Sequence, residues 1–239
     1  MMDSTDLLKS PGYVVVEGPI GVGKTTLARR LAASYSCHLL LEETENNPFL
    51  ERFYRLPRQF ALPTQLYFLF HRVRLLERLR QPDMFNPRQV ADFMLGKDAI
   101  FARLTLDNDE LRLYNQVYNS LALEVPVPDL VIYLQAPAEV LFERIRQRKN
   151  SFEQGLGKRY LERLIEAYSR VFLHYDETSL LMLNAEDVDF ARSDDDLRSL
   201  LEHISSIGPG RHFFNPLSNT KLNHESSYKQ SPPGDEGKR

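Results

Sequence analysis

Gly18-Pro-Ile-Gly-Val-Gly23-Lys24-Thr25 sets glycines, a lysine and a hydroxyl at the spacing G-x-x-x-x-G-K-[ST]. Such a loop curls its backbone N–H groups inward at phosphate oxygens. The helix that follows it adds roughly half a positive charge at its N-terminus. Lys24 can neutralise β- and γ-phosphate oxygens, and the Thr25 hydroxyl is a Mg²⁺ ligand with Thr26 beside it. Gly18, Gly21, Gly23, Lys24, Thr25 and Thr26 are therefore the expected contacts to ATP, with Mg²⁺ as its companion ion. The loop does not name the acceptor. A motor or switch would add an Asp after a hydrophobic strand, but Asp129 precedes the apolar run 130–134, at the wrong end for a cleft. The length also leaves little room for a motor's coupling regions, so a kinase acting on a small molecule is expected.

Other residues could face that loop. Glu42 and Asp92 each end a short hydrophobic run, where a carboxylate would accept a proton from an attacking hydroxyl, help hold Mg²⁺, or simply begin a solvated loop. Gln65 and Arg72 are seven residues apart, about 20° from alignment at ~100° per residue. An amide and a guanidinium fork on one helix edge could read a planar heterocycle, or be a solvated polar edge. In Glu143-Arg-Ile-Arg-Gln-Arg148, Arg144 and Arg148 share a helix face. Cations at a helix C-terminus are favoured by the dipole alone, yet an arginine lid over transferring phosphates would look the same.

The elements that must hold these residues alternate along the chain. Strands are expected at 13–17, 38–41, 89–92, 130–134 and 179–183. Helices are expected at 24–36, 49–54, 63–81, 109–123, 137–148, 159–175 and 193–204. That order predicts an α/β fold, a P-loop NTPase-like parallel sheet of about five strands covered by helices on both faces. After Ile207 the composition shifts to Gly, Pro, Ser and Asn, so the expected division is a domain over 11–206 and a disordered tail over 207–239, with His212-Phe213-Phe214 capping the last helix.

Composition narrows the class. The chain has 239 residues, 42% hydrophobic and 26% charged, which suits one large globular domain and excludes disorder throughout. Thirty basic against thirty-three acidic residues give −3, no global attraction for a nucleic acid polymer or an anionic membrane. Cys37, the single cysteine, excludes an intramolecular disulfide and a cysteine zinc site. No run approaches the ~18–20 apolar residues of a membrane span, and residues 1–10 lack a basic-then-apolar signal, so a cytoplasmic setting is expected.

Taken in order, the motifs over about residues 13–190 resemble those of the P-loop deoxynucleoside kinases. In Leu41-Glu42-Glu43-Thr44, Glu42 falls where that family carries its catalytic carboxylate, which implies a base for the 5′-hydroxyl. Phe49-Leu-Glu-Arg-Phe-Tyr54 resembles the segment whose tyrosine contacts the sugar 3′-hydroxyl. Leu62-Pro-Thr-Gln65, with Arg72, resembles the base-binding glutamine motif. Asp92-Phe-Met-Leu-Gly-Lys-Asp98 falls on the acidic-Arg-Ser motif and the base-contacting Asp after it. The segment 143–148 resembles the arginine-rich lid, and Glu153 its carboxylate, which also holds the 3′-hydroxyl. Asn184-Ala-Glu-Asp-Val-Asp-Phe190 resembles the loop beside the donor adenine, implying Asp187 and Phe190 as ATP contacts. The resemblance also implies a homodimer. Three positions depart from the pattern. Phe93 replaces the Arg after the acidic residue, Asn150 replaces a lid arginine for which Arg146 compensates, and Ala102 replaces a base-stacking aromatic, one residue from Phe101.

The base preference has a chemical basis. Gln65 can donate and accept, Arg72 donates, and an ionised Asp98 only accepts, which suits an amino or imino donor and disfavours thymine O4. Purine deoxynucleosides are favoured, and deoxycytidine is compatible. The rivals are a thymidylate-type monophosphate kinase, against which Phe93 speaks by withholding a cation, and a silent nucleotide-binding regulator, against which Lys24, Thr25 and Glu42 speak.

Overall fold

Three consecutive valines between Tyr13 and Glu17 present no polar face to water, and all three are buried in β1 (Tyr13–Glu17). Successive strand residues point to opposite faces, so their common burial means that both faces of the sheet are covered. The structure, a computed structural model, describes residues 12–79, 88–121, 126–148, 156–188 and 190–216. β1 pairs with β3 (Gln89–Ala91), Tyr13 opposite Gln89, and with β4 (Leu130–Gln135), Val14 opposite Leu130. β2 (His38–Leu40) lies outside β3, while β5 (Ser179–Asn184) and β6 (Arg211–Phe214) extend the other edge. The order is β2-β3-β1-β4-β5-β6, and every pairing among the described residues is parallel. β1 thus sits where the chain order reverses, the place at which open parallel sheets bind ligands beyond their carboxyl ends.

Helices link the strands. α1 (Lys24–Tyr35) follows β1; α2 (Leu50–Arg55) and α3 (Pro57–Leu79) join β2 to β3; α4 (Asp98–Thr105) and α5 (Asn108–Ser120) join β3 to β4. α6 (Ala138–Gln147) and α7 (Lys158–Leu173) precede β5, and α8 (Asp194–Ser206) precedes β6. No helix among the described residues is long and apolar enough to cross a membrane.

The expected sheet of about five strands has six, and the boundary expected at residue 206 falls inside the fold. Arg211–Phe214 pairs with Leu180–Leu183, and the Phe214 ring is buried 5.0 Å from the His203 ring. Arg211 Nη2 donates to the carbonyls of Leu173 and Tyr175 at 2.9 and 3.1 Å, tying the strand to the end of α7. Four residues inside a Gly/Pro-rich stretch are too short to register as an alternating pattern. The phenylalanine pair expected to cap α8 is part of this strand, with Phe214 inward and Phe213 exposed. The helix expected to open at Pro63 opens at Pro57, which is equally suited to a first helical position, and Pro63 lies in its interior. Asp98–Thr105 is helical where no helix was expected. Asp129 behaves as a strand-entry residue, accepting from the Tyr13 N–H at 2.8 Å.

Aromatic stacking carries the core toward the cleft. The Tyr133 ring of β4 stacks on Phe172 of α7 at 4.3 Å and lies 6.2 Å from Tyr168, with interplanar angles of 14° and 7°. This fixes the Tyr168 hydroxyl against the end of β1.

Candidate active site

The glycine loop leaves β1 and enters α1, as its spacing requires. Gly18 has φ +149°, and a Cβ there would stand 2.6 Å from the Leu134 carbonyl oxygen, so no side chain fits. Gly23, at φ +104°, precedes the first turn of α1 and caps it with no side chain, so the N–H groups there have no intrahelical partner. Gly21 packs against Ile145 of α6. Lys24 Nζ donates to the Gly18 and Pro19 carbonyls at 2.8 and 3.1 Å, within the curve of the loop. Burial, then the charge of Lys97, lowers its pKa to about 8 against the opposing pull of Glu17, Asp92 and Glu42.

Glu42 and Asp92 meet beside this loop. Asp92 Oδ2 accepts from Thr25 Oγ1 at 2.6 Å, and Oδ1 accepts from the Glu42 N–H at 2.8 Å, joining the ends of β2 and β3 to α1. Glu42 Oε2 accepts from Lys97 Nζ at 2.7 Å, while Oε1 pairs with Arg72 Nη2. Burial alone would raise the Glu42 pKa, but Arg72, Lys97 and Lys24 outweigh it and lower it to about 2. The carboxylate stays ionised and can only accept. Behind it, Glu17 is fully buried. It accepts from the N–H groups of Met94 and Gly18 at 2.8 and 3.1 Å and from the Tyr168 hydroxyl at 3.3 Å. Burial, and then Glu17, push that tyrosine's pKa well up.

α3 supplies one wall of a cleft that also touches Gly21, Lys24, Thr25, Glu42 and Asp92. Gln65 and Arg72 both line it and both are buried, so the seven-residue spacing does put them on one edge. Thr64 lines it too, and its Oγ1, like Arg72 Nε, is buried with no hydrogen-bond partner among the described residues. Tyr54 of α2 and Phe101 of α4 also line it; Ala102, the position expected to stack, is buried and does not. Asp98 is 0% exposed, pairs with Arg72 Nη1, and does not line the cleft. It stands behind the arginine, fixing it.

On the outer side of the loop, Gly21, Gly23, Thr26, Arg144, Arg148 and Phe190 line a second hollow. Arg144 Nη2 donates to the carbonyls of Ala185, Glu186 and Val188 at 2.8, 3.0 and 3.3 Å, which clamps the loop after β5 rather than reaching the cleft. Arg148 is exposed and borders both spaces. Asp187 is exposed and does not line the hollow, unlike its neighbour Val188. Glu153 and Asn150 lie outside the described residues. Sequence reasoning did not single out Lys97, Glu17 or Tyr168. A glutamate ending a strand of three buried valines beside the loop is a usable signal for Glu17, whereas nothing in Leu-Gly-Lys marks Lys97.

A sequence model of the deoxynucleoside kinases matches residues 14–207. Deoxyguanosine kinase of Bacillus subtilis is 30% identical over 200 residues, 82% of this chain and 97% of that protein. Deoxyadenosine/deoxycytidine kinase of the same organism is 28% identical over 204 residues, 81% of this chain and 92% of its own. A solved deoxyadenosine kinase from M. mycoides, bound to dCMP and dCDP, superposes with a TM-score of 0.68 at 24% identity, covering 89% of this chain and 99% of that one, a likeness of fold. With its phosphate loop, buried glutamate and glutamine–arginine wall in the family's order, the chain belongs to the deoxynucleoside kinases, ATP-dependent phosphotransferases.

Proposed function

We propose that this kinase transfers the γ-phosphoryl group of ATP to the 5′-hydroxyl of a purine deoxynucleoside, deoxyadenosine or deoxyguanosine, for nucleotide salvage. The observation that carries the reading is Glu42, an ionised carboxylate 8% exposed on the cleft wall beside the loop lysine. It accepts the hydrogen of the 5′-hydroxyl and takes the proton as the O5′–P bond forms and the bond from the γ-phosphorus to the bridging oxygen breaks, releasing ADP. So low a pKa makes a weak base, which suits a loose phosphoryl transfer in which positioning and electrostatics supply most of the acceleration. Lys24 and Arg148 offset charge on the phosphates, and Arg144 acts through the loop it clamps.

Gln65 and Arg72 read the base edge. Guanine offers adjacent O6 and N7 acceptors to a guanidinium, and the amide of Gln65 serves either purine. The names of the relatives, deoxyguanosine kinase and deoxyadenosine/deoxycytidine kinase, support this preference. Tyr54 and Glu153 serve the sugar, and Phe190 and Asp187 the donor base. Thr25 Oγ1 and Asp92 Oδ2 are hard oxygen donors, and Mg²⁺ is held by one or two carboxylates together with substrate phosphates, so the pair fits that ion. When bound, it neutralises β- and γ-phosphate charge. Exposed Phe70 of α3 and Leu113 of α5, on helices in contact, offer apolar surface for a homodimer. The setting is the cytoplasm, where ATP is available. The test is incubation with Mg-ATP against a panel of nucleosides and nucleoside monophosphates. Purine deoxynucleosides should be phosphorylated at the 5′ position, and turnover of monophosphates alone would overturn the reading.

A further inference from the structure

Lys97 ends a short turn, Leu95–Lys97, yet its side chain is only 3% exposed and lines the cleft. Its ammonium lies 2.7 Å from Glu42 Oε2 and 3.7 Å from Glu17 Oε1. The turn is anchored, because the Met94 N–H donates to Glu17 and Leu95 is buried. Among the other cations of the cleft, Arg148 is exposed at its rim on the phosphate side, and two more already have protein partners. Lys24 bonds the loop carbonyls, and Arg72 is shared between Glu42 and Asp98 on the base side. Phe93, where the resembling family carries an arginine, is 0% exposed in the core and brings no charge to the cleft.

We infer that Lys97 is the positioning residue of the transfer step, holding Glu42 toward the acceptor oxygen and balancing negative charge where that oxygen meets the incoming phosphoryl group. It fills from position 97 the electrostatic place left empty at position 93. Its nearness to the donor side agrees, since its charge helps to lower the pKa of Lys24. The inference rests on the proposed transfer to a 5′-hydroxyl. The alternative is that Lys97 only neutralises buried Glu17 and supports the fold.

The two differ in what a neutral substitution does to kcat. Lys97→Gln keeps a hydrogen-bond donor for Glu42 without the charge, and Lys97→Arg keeps the charge. Both are assayed with Mg-ATP and the purine deoxynucleoside that the wild type uses best, with folding checked by circular dichroism and urea unfolding. For folded Lys97→Gln, kcat should fall about 10²-fold with nucleoside and ATP KM changed less than about 3-fold, and Lys97→Arg should recover to within about 10-fold of wild type. A Lys97→Gln enzyme with near-wild-type kcat, or a folded Lys97→Arg enzyme as slow as Lys97→Gln, would overturn the inference. If Lys97→Gln does not fold, the kcat of Lys97→Arg decides by the same limit. Failure of the wild type to phosphorylate any nucleoside would instead defeat the proposed reaction itself, and the Lys97 assignment with it.

Discussion

Replacing Asp98 separates base reading from support of the fold. The carboxylate is fully buried, pairs with Arg72 Nη1, and stands behind that arginine rather than on the cleft wall. Asp98→Ala would leave a guanidinium that is 2% exposed with Glu42 as its remaining ion-pair partner. Removing one member of a buried pair costs about 3–5 kcal/mol of stability. That is a large share of the ~5–15 kcal/mol that holds a domain together. Asp98→Asn, which keeps the shape and one acceptor, should cost less. Catalytically, a freed Arg72 no longer holds one orientation, so substrates read through it should lose roughly 1–3 kcal/mol of transition-state binding per hydrogen bond forfeited, about 5–150-fold in kcat/KM. Thymidine, which lacks the adjacent O6 and N7 acceptors that a guanidinium fork reads on guanine, should lose less. The assay is the ratio of kcat/KM for deoxyguanosine over thymidine in wild type, Asp98→Asn and Asp98→Ala, beside urea unfolding of each. A collapsed ratio in folded protein supports base reading through Arg72. If both substrates slow equally and the ratio holds, Asp98 serves the fold alone and base reading through an Arg72 that it orients is refuted.

Lys24→Ala should abolish transfer while leaving the thermal melt nearly unchanged, because a helix start tolerates alanine; unchanged kcat in folded protein would remove the loop's assignment. Glu42 has its folded pKa depressed to about 2, so its charge contributes stability above the unfolded value of ~4.3 and loses it as pH falls toward 2. The stability gap between wild type and Glu42→Gln should therefore be widest near neutrality and narrow below about pH 4, and urea unfolding from pH 7 to 3 measures it. A chain ending at Ile207 lacks β6 and buried Phe214 and should melt several degrees below one ending at Pro216, burial of a phenylalanine being worth about 1.5–3 kcal/mol. Equal melting temperatures would make the sixth strand dispensable.

The parts of the site that follow a period or a fixed motif were legible in the sequence. The glycine loop announced itself by spacing, Glu42 and Asp92 by ending hydrophobic strands, and Gln65 and Arg72 by sharing a helix edge. What escaped depends on tertiary encounters. Lys97 meets both Glu42 and Glu17 only because β1, β2 and β3 end side by side, and no local pattern encodes a turn that delivers a lysine inward. Asp98, expected at the base edge, sits at the first position of a helix that no sequence pattern announces, buried against Arg72 and outside the cleft lining. Arg144 looked like a charge-stabilising lid residue, but three carbonyls of the loop after β5 occupy it, a partnership formed across about forty residues. β6 was hidden by composition, since four pairing residues are too few to show an alternation.

The central claim is that Glu42 serves transfer of the ATP γ-phosphoryl group to a nucleoside 5′-oxygen. Its most direct test follows label from γ-labelled ATP onto deoxyguanosine in single turnovers of wild type, Glu42→Gln and Glu43→Gln. Label should appear on the 5′-oxygen, and Glu42→Gln should slow the step about 10²–10⁴-fold with a modest change in nucleoside affinity while Glu43→Gln stays near wild type. Normal transfer by Glu42→Gln with a crippled Glu43→Gln would contradict the assignment of the base, and label that never reaches the 5′-oxygen of any nucleoside would contradict the reaction.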